Sequence, residues 1–94
     1  MPHGQNGIYR WKSGAYFQGE FIKGMKNGRG KWKKDEHSVI CNRFYGDYLN
    51  DLKHGYGEFY WESGDVYKGA YENDKRHGYG ELEWTDGTIY KGDW

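Results

Sequence analysis

The chain has 94 residues, which suits one domain or a piece of a longer array. Its 16 glycines exclude a helical bundle, because a glycine inside a helix costs about 1 kcal/mol, and its 20% aromatic content argues against disorder. The net charge is zero, yet residues 1–43 carry +6 and residues 44–94 carry −6. This asymmetry indicates an electrostatic partner for at least one half, against the plainer interpretation of ordinary solvated faces.

The single cysteine, Cys41, excludes an internal disulfide and favours a reducing compartment. No apolar run approaches the roughly 20 residues that span a bilayer, and no signal-peptide pattern opens the chain. These observations predict a cytoplasmic protein, with association to the cytoskeleton or to a membrane left open.

An internal repeat organises the chain from its first residues. Residues 7–16 form half a unit, in which Gly7-Ile8-Tyr9-Arg10-Trp11 precedes a Ser-Gly turn pair. The first full unit, 17–43, begins with Phe17-Gln18-Gly19-Glu20-Phe21. It also holds a polar stretch, 33–42, which lengthens this unit by four residues and which we expect to form a longer loop.

Two further units, 44–66 and 67–89, repeat the pattern with a step of 23 residues. Tyr67-Lys68-Gly69-Ala70-Tyr71 corresponds to Phe44-Tyr45-Gly46-Asp47-Tyr48, and residues 90–94 begin another unit. The stop at this point indicates a fragment, or a chain whose end is capped by something else.

Within each unit the pattern has a period of two, which is typical of β-strands. Tyr67, Gly69 and Tyr71 then share one face of a strand. We expect two short strands per unit, with turns at residues 73–77 and 85–87. The Asp-Gly and Ser-Gly pairs of the second kind of turn supply the positive φ that tight hairpin turns need.

Glycines inside the strands need a separate reason, because a strand glycine is costly unless another group occupies its space. Gly69 and Gly80 lie on the same predicted face as the rings, so that rings of neighbouring strands can pack over the bare backbone. The predicted fold is therefore all-β: an elongated, single-layer antiparallel β-meander of stacked hairpins.

These residues resemble the MORN (membrane occupation and recognition nexus) repeat. Its unit runs Tyr-x-Gly-x-aromatic, a polar turn, His/Asn-Gly-x-Gly, an aromatic pair, then Asp-Gly. Residues 67–86 follow it almost throughout, and residues 44–63 do so with Phe for Tyr. Residues 17–34 depart from it, because they lack the second tryptophan and adjoin the insertion.

The resemblance implies a twisted single-layer sheet of hairpins. Arrays of this kind occur in cytoskeletal and ciliary scaffolds and in membrane-junction proteins, and they flank lipid kinase and protein methyltransferase domains. We therefore expect a protein-binding scaffold. The alternatives are a phospholipid-binding module and the accessory domain of a larger enzyme. The family attaches no function to catalytic residues, so none is carried over.

The polar residues favour neither catalysis nor metal binding. His54 and His77 occupy the same repeat position beside glycine and are interpreted as turn residues, and zinc-ligand spacing is absent from the sequence. Carboxylates such as Glu58 and Glu81 lie mostly on the predicted solvent face, whereas a glycosidase needs a pair across a cleft. The Gly-x-Gly pairs lack the Lys-Ser/Thr of a phosphate loop and are explained better by turn geometry. We expect no enzyme activity and no cofactor.

The aromatic face is the predicted binding surface. Its rings pack first against one another, and they can also hold a partner's helix or extended segment, since Tyr and Trp are common interface anchors. Sugar binding is a further alternative. The residues chosen are Phe44, Tyr48, Phe59, Trp61, Tyr67, Tyr71 and Trp84.

A second candidate surface is basic and would contact an anionic partner such as lipid, with each cation near an acidic bilayer worth about 1 kcal/mol. Asp35 and Glu36 weaken this interpretation, and nucleic acid is not expected. Self-association remains open as well, because end strands invite pairing. The basic residues are Lys23, Lys26, Arg29, Lys31, Lys33 and Lys34.

Overall fold

The computed structural model describes residues 5–94 and places eight β-strands in one antiparallel sheet. Each strand pairs with the next along the chain, which confirms the predicted meander of hairpins. The molecule measures 40 × 31 × 15 Å, as a single layer requires. The strands are β1 Gln5–Arg10, β2 Tyr16–Ile22, β3 Met25–Lys33, β4 Arg43–Leu49, β5 Leu52–Tyr60, β6 Val66–Glu72, β7 Lys75–Glu83 and β8 Ile89–Asp93.

Tight two-residue turns join the strands within each unit: Lys23-Gly24, Asn50-Asp51 and Asn73-Asp74. Both residues of every pair have positive φ, between 48° and 78°. Such values define the type I′ turn, whose twist matches that of the flanking strands. The predicted turn at residues 73–77 is therefore too long. Two residues suffice to reverse the chain, and β7 already begins at Lys75.

Wider loops join one unit to the next. The amide of Gly64 donates to the carbonyl of Trp61 at 2.9 Å, and the amide of Gly87 donates to that of Trp84 at 3.0 Å. These glycines have φ of 104° and 93°, which side-chain-bearing residues rarely adopt. The predicted turn at residues 85–87 is confirmed.

A row of glycines crosses the whole sheet, because one glycine of every strand is paired with a glycine on the neighbouring strand. At Gly46, an added Cβ would lie 2.6 Å from the Cα of Gly57. At Gly57, an added Cβ would overlap the ring of Phe44. The prediction that bare backbone makes room for rings is confirmed. The row runs Gly7, Gly19, Gly30, Gly46, Gly57, Gly69, Gly80, Gly92.

The His-Gly pairs lie inside strands and not in turns, which corrects their interpretation as turn residues. His54 belongs to β5 and His77 to β7. The register between β6 and β7 shifts between Gly69 and Tyr71, and Gly78 takes a φ of 78° in this irregular segment. The glycine therefore serves a β-bulge, where the strand bends and its twist increases.

Rings form one continuous chain of edge-to-face contacts over the glycine row. Centroid separations lie between 5.1 and 5.6 Å and interplanar angles between 77° and 87°. This geometry suits the ring quadrupole, and each pair adds about 0.5–1.5 kcal/mol beyond its area burial. The order is Phe21, Phe17, Tyr48, Phe44, Tyr71, Tyr67, Trp94, Tyr90.

The predicted longer loop, residues 33–42, is present but begins one residue later, because Lys33 ends β3; residues 34–42 fold back onto the start of the sheet. The Glu36 amide donates to the Gly14 carbonyl at 2.9 Å, and the Glu36 carboxylate pairs with Arg10 at 2.8 Å. Cys41 is buried, and its thiol donates to the Asp35 carbonyl at 3.4 Å. The thiol thus packs inside the loop.

Candidate partner-binding face

The face of the sheet that carries the ring chain, here called the ring face, holds most of the predicted binding residues. Phe44, Tyr48, Tyr67 and Tyr71 belong to its buried cluster, and Phe59 and Trp61 pack against that cluster. Trp84 lies beyond the end of β7, in the loop that follows it, and is 38% exposed.

Burial divides these aromatic residues into two groups. Phe44 and Tyr67 have no exposed surface, and Tyr48 and Tyr71 are 8% exposed. These four rings support the face from beneath and offer little area to a partner. The accessible ring surface comes from a second row beside them, in which Phe59 contacts Trp61 at 4.6 Å and Trp32 at 6.3 Å between centroids.

Two adjoining grooves cross the ring face. The larger, of about 560 Å³, lies between Phe59 and Trp94, and the smaller, of about 250 Å³, lies between Trp11 and Phe59. They share Lys53, Phe59 and Asp74, so that together they form one trough. Because Trp11 follows β1 and Trp94 follows β8, the trough runs across the strands and spans several units.

One cation from each unit stands over this face. Lys26, Lys53 and Arg76 occupy equivalent positions, each opposite the last aromatic residue of the preceding strand. Each lies over the first ring of its own unit: Lys26 Nζ is 5.3 Å from the Phe17 centroid, Lys53 Nζ 5.1 Å from that of Phe44, and Arg76 Cζ 5.6 Å from that of Tyr67. Such contacts stabilise a cation by about 0.5–2 kcal/mol.

This cation row is free to meet an anion. Among residues 5–94, no carboxylate lies within 4.0 Å of any of the three charged groups. Burial lowers the pKa of the Lys53 ammonium below its ordinary value; the charge of Asp74 opposes this shift and that of Lys26 adds to it. Lys26 and Lys53 both line the smaller groove of the trough.

The two acidic side chains that line the trough accept hydrogen bonds from backbone amides. Asp51 Oδ1 accepts the Lys26 amide at 2.8 Å, and Asp74 Oδ1 accepts the Lys53 amide at 2.8 Å. In return, the amides of Asp51 and Asp74 donate to the Lys26 and Lys53 carbonyls, each at 2.9 Å. The hairpin turns of the second and third full units are thereby fastened to the preceding unit, next to that unit's cation.

The predicted basic surface does not form one patch. Lys26 lies on the ring face, whereas Arg29 pairs with Asp47 at 2.8 Å on the opposite face. Lys31 lies 6.0 Å from the Tyr16 ring centroid, and Lys33 Nζ donates to the Glu36 carbonyl at 3.2 Å. The remaining two, Lys23 and Lys34, lie in a turn and beyond the end of β3. Binding of an anionic partner by these six residues together stays a prediction.

A different groove, of about 590 Å³, lies on the opposite face between Tyr56 and Tyr79. Ala70 lines it, where the other units carry Glu20, Asp47 and Asp93. In the preceding unit, Asp47 occupies this position and accepts the Tyr56 amide at 3.4 Å. The missing carboxylate thus leaves the third unit with an open hollow.

The two equivalent histidines border that hollow. His77 Nε2 lies 3.3 Å from Glu72 Oε2, and the buried His54 Nδ1 has no hydrogen-bond partner among the residues described. Across residues 5–94, no group of three or more His, Cys, Asp or Glu side chains could hold a metal ion. The same part of the chain contains no helix that could cross a bilayer.

The sequence reasoning missed the cation row, since Lys53 and Arg76 were not among the candidate residues. The signal was present in the strand period. Counting back in twos from the row glycines Gly57 and Gly80 reaches Lys53 and Arg76, and the same count from Gly30 reaches Lys26. These positions share a face, as the structure shows.

The fold and this face together define a β-hairpin repeat module, built from units that each add two strands, one fully buried ring and one cation. The MORN repeat model matches residues 17–37, 44–66 and 67–89, well over half of the chain. The chain belongs to the MORN repeat family. Modules of this family commonly interact with proteins or membranes and are typically non-catalytic. No curated protein matches the chain well enough to count as a relative.

Proposed function

We propose that this chain is a non-enzymatic scaffold that binds another protein along the trough of its ring face. One observation supports this most: a groove that crosses several units is lined by half-buried rings and overhung by one cation per unit. Aromatic anchors beside charged groups are typical of protein interfaces. The assembly it serves is cytoskeletal or ciliary and cytoplasmic.

The charge distribution favours a protein over a bilayer. A flat membrane would approach the whole molecule, and residues 44–94 carry −6, which an anionic surface repels. A narrow segment in the trough avoids most of those carboxylates. The two acids that do line the trough are engaged by backbone amides and therefore serve to hold units together.

Site-specific photocrosslinking tests this proposal. A benzophenone amino acid is placed at Trp61 on the ring face, or at Tyr79 on the opposite face, and the chain is irradiated in its own cells. We expect discrete protein adducts from position 61, which a second substitution, Lys53→Glu, removes. Lys68→Glu makes the same charge change on the opposite face and should leave them.

Other outcomes would overturn the proposal. Adducts confined to position 79, or adducts at both positions that Lys53→Glu leaves intact, would show that the ring face is not the interface. Lipid adducts at position 61, with pelleting on phosphoinositide vesicles that Lys53→Glu abolishes, would support the membrane alternative in its place.

A further inference from the structure

The cation row has a fixed spacing that a partner must match. Lys26, Lys53 and Arg76 sit at equivalent positions of β3, β5 and β7, so that one strand lies between each pair. Neighbouring strands are about 4.8 Å apart, which places successive cations about 9.6 Å apart across the sheet. The row therefore presents three positive charges along about 19 Å of trough.

Polyproline II is the regular backbone that matches this spacing most closely. It rises about 3.1 Å per residue with three residues per turn, so that every third side chain returns to the same side after about 9.3 Å. Over two steps the mismatch with the cation row is only about 0.6 Å.

The other two regular conformations fit less well. An extended strand returns to the same side every two residues, after about 6.7 Å. An α-helix returns after seven residues, about 10.5 Å, and loses register by about 1.8 Å over two steps.

The walls of the trough suit the same occupant. Phe59, Trp61 and Trp94 line the larger groove, and grooves lined with aromatic rings are the usual docking site for proline-rich segments, which lose little conformational entropy on binding. The charge agrees as well. Lys26, Lys53, Lys75 and Arg76 line the two grooves against only two acids, Asp51 and Asp74.

We propose that the occupant of the ring face is an acidic protein segment in the polyproline II conformation, with a carboxylate at every third position, one for each cation of the row. This inference rests on the proposed function and specifies the class of partner. It differs from a general attraction for acids, because it requires a spacing.

Peptide isomers test the spacing directly. In the first peptide, two prolines stand between each glutamate and the next, for three glutamates in all. The second peptide has the same composition, but only one proline stands between successive glutamates. A third replaces the glutamates of the first with lysine. Binding to the full chain is followed by tryptophan fluorescence at low salt, and by isothermal titration.

We expect the first peptide to bind at least about tenfold more tightly than the second, and the third not to bind. Lys53→Glu should weaken the first peptide at least about tenfold, whereas Lys68→Glu should not. If Lys53→Glu fails to fold, Lys53→Met and Lys68→Met replace the pair, with the urea midpoint of each variant as the check on folding.

Three results would overturn the inference: equal binding of the two glutamate isomers, no binding of either, or equal loss in the Lys53 and Lys68 variants. The inference would also be overturned if phosphoinositide vesicles bound in the trough and the first peptide did not. These failures are distinguishable from failure of the proposed function, because crosslinks at position 61 would remain and a different segment would then occupy the trough.

Discussion

Tyr71 meets Phe44 edge-on, with ring centroids 5.3 Å apart and ring planes at 85°. Phe44 belongs to β4 and Tyr71 to β6, so that this contact joins two repeat units. Tyr48 meets Phe17 of the preceding unit in the same way, at 5.1 Å. A lone hairpin is barely stable in water, and each unit is therefore completed by a ring from its neighbour.

Removal of one inter-unit ring should destabilise the sheet strongly. Tyr71→Ala deletes a ring that is 8% exposed, and we expect the free energy of unfolding to fall by about 3–5 kcal/mol. Tyr79→Ala, which removes a ring that is 55% exposed on the opposite face, should change it by less than about 1 kcal/mol. Urea denaturation measures both; similar losses would contradict the inter-unit role of Tyr71.

The glycine row predicts that adding atoms to the ring face also destabilises the sheet. In Gly57→Ala the new methyl would overlap Phe44 and lie 3.1 Å from Cδ1 of Tyr71. Overpacking of this kind costs about 1–3 kcal/mol. Gly24→Asn is the control, because nothing lies within 4 Å of a Cβ there and Asp51 and Asp74 already adopt a similar positive φ at the equivalent turn position. A Gly57→Ala variant as stable as the parent in thermal unfolding would exclude ring packing on the row.

The turn carboxylates should matter by joining units. Asp74→Asn keeps an acceptor for the Lys53 amide, whereas Asp74→Gly removes it and still tolerates the φ of 71°. We expect the glycine variant to lose about 1 kcal/mol of stability and the asparagine variant to lose little. The rate of hydrogen exchange at the Lys53 amide should rise in the glycine variant only. Equal exchange rates in both variants would contradict a stabilising hydrogen bond from this amide to Asp74.

Alkaline pH should weaken the fold through its buried phenols. Burial raises the pKa of Tyr48 and of Tyr71 above the ordinary value of 10.0. A raised folded-state pKa favours the neutral phenol, so that the stabilisation is complete below pH 10 and declines as pH rises through the folded-state values. Urea midpoints should thus fall from about pH 10 upward.

A phenylalanine variant isolates this contribution. Tyr71→Phe keeps the ring and removes the titrating hydroxyl, so its urea midpoint should fall less steeply above pH 10 than that of the parent. If the urea midpoint of Tyr71→Phe fell as steeply above pH 10 as that of the parent, the loss of stability could not be assigned to the Tyr71 hydroxyl. Tyrosinate absorbance offers a second check at Tyr60, where a hydrogen bond to Glu58, burial and the charge of Glu58 raise the pKa to about 12.

The general architecture could be predicted because the repeat and the strand period are local features of the sequence. Gly69 and Gly80 stand on the ring-bearing positions of their strands, which indicated both the pairing and the space above it. The turn at Asn73-Asp74 was harder, since the nearby His77-Gly78 pair is an equally good local signal. The pairing of Gly69 with Gly80 places the turn at Asn73-Asp74 and not at His77-Gly78, and strand pairing cannot be derived from the local sequence.

The accessible part of the site was also beyond the sequence. Phe44 and Phe59 stand at ring-face positions of adjacent strands, yet the first has no exposed surface and the second retains some. Their difference depends on which neighbouring rings cover them. Lys53 and Arg76 were missed for a different reason: the basic surface was predicted from the positively charged half, residues 1–43, and both residues lie in the negatively charged half.

Ring-current shifts test the central arrangement most directly. In a proton NMR spectrum, the Hα protons of Gly57 and Gly80 should be displaced upfield by the rings of Phe44 and Tyr67, with nuclear Overhauser contacts from each ring to its glycine. Hα shifts near random-coil values at both glycines, with no contacts to these rings, would contradict a sheet held together by rings over bare backbone.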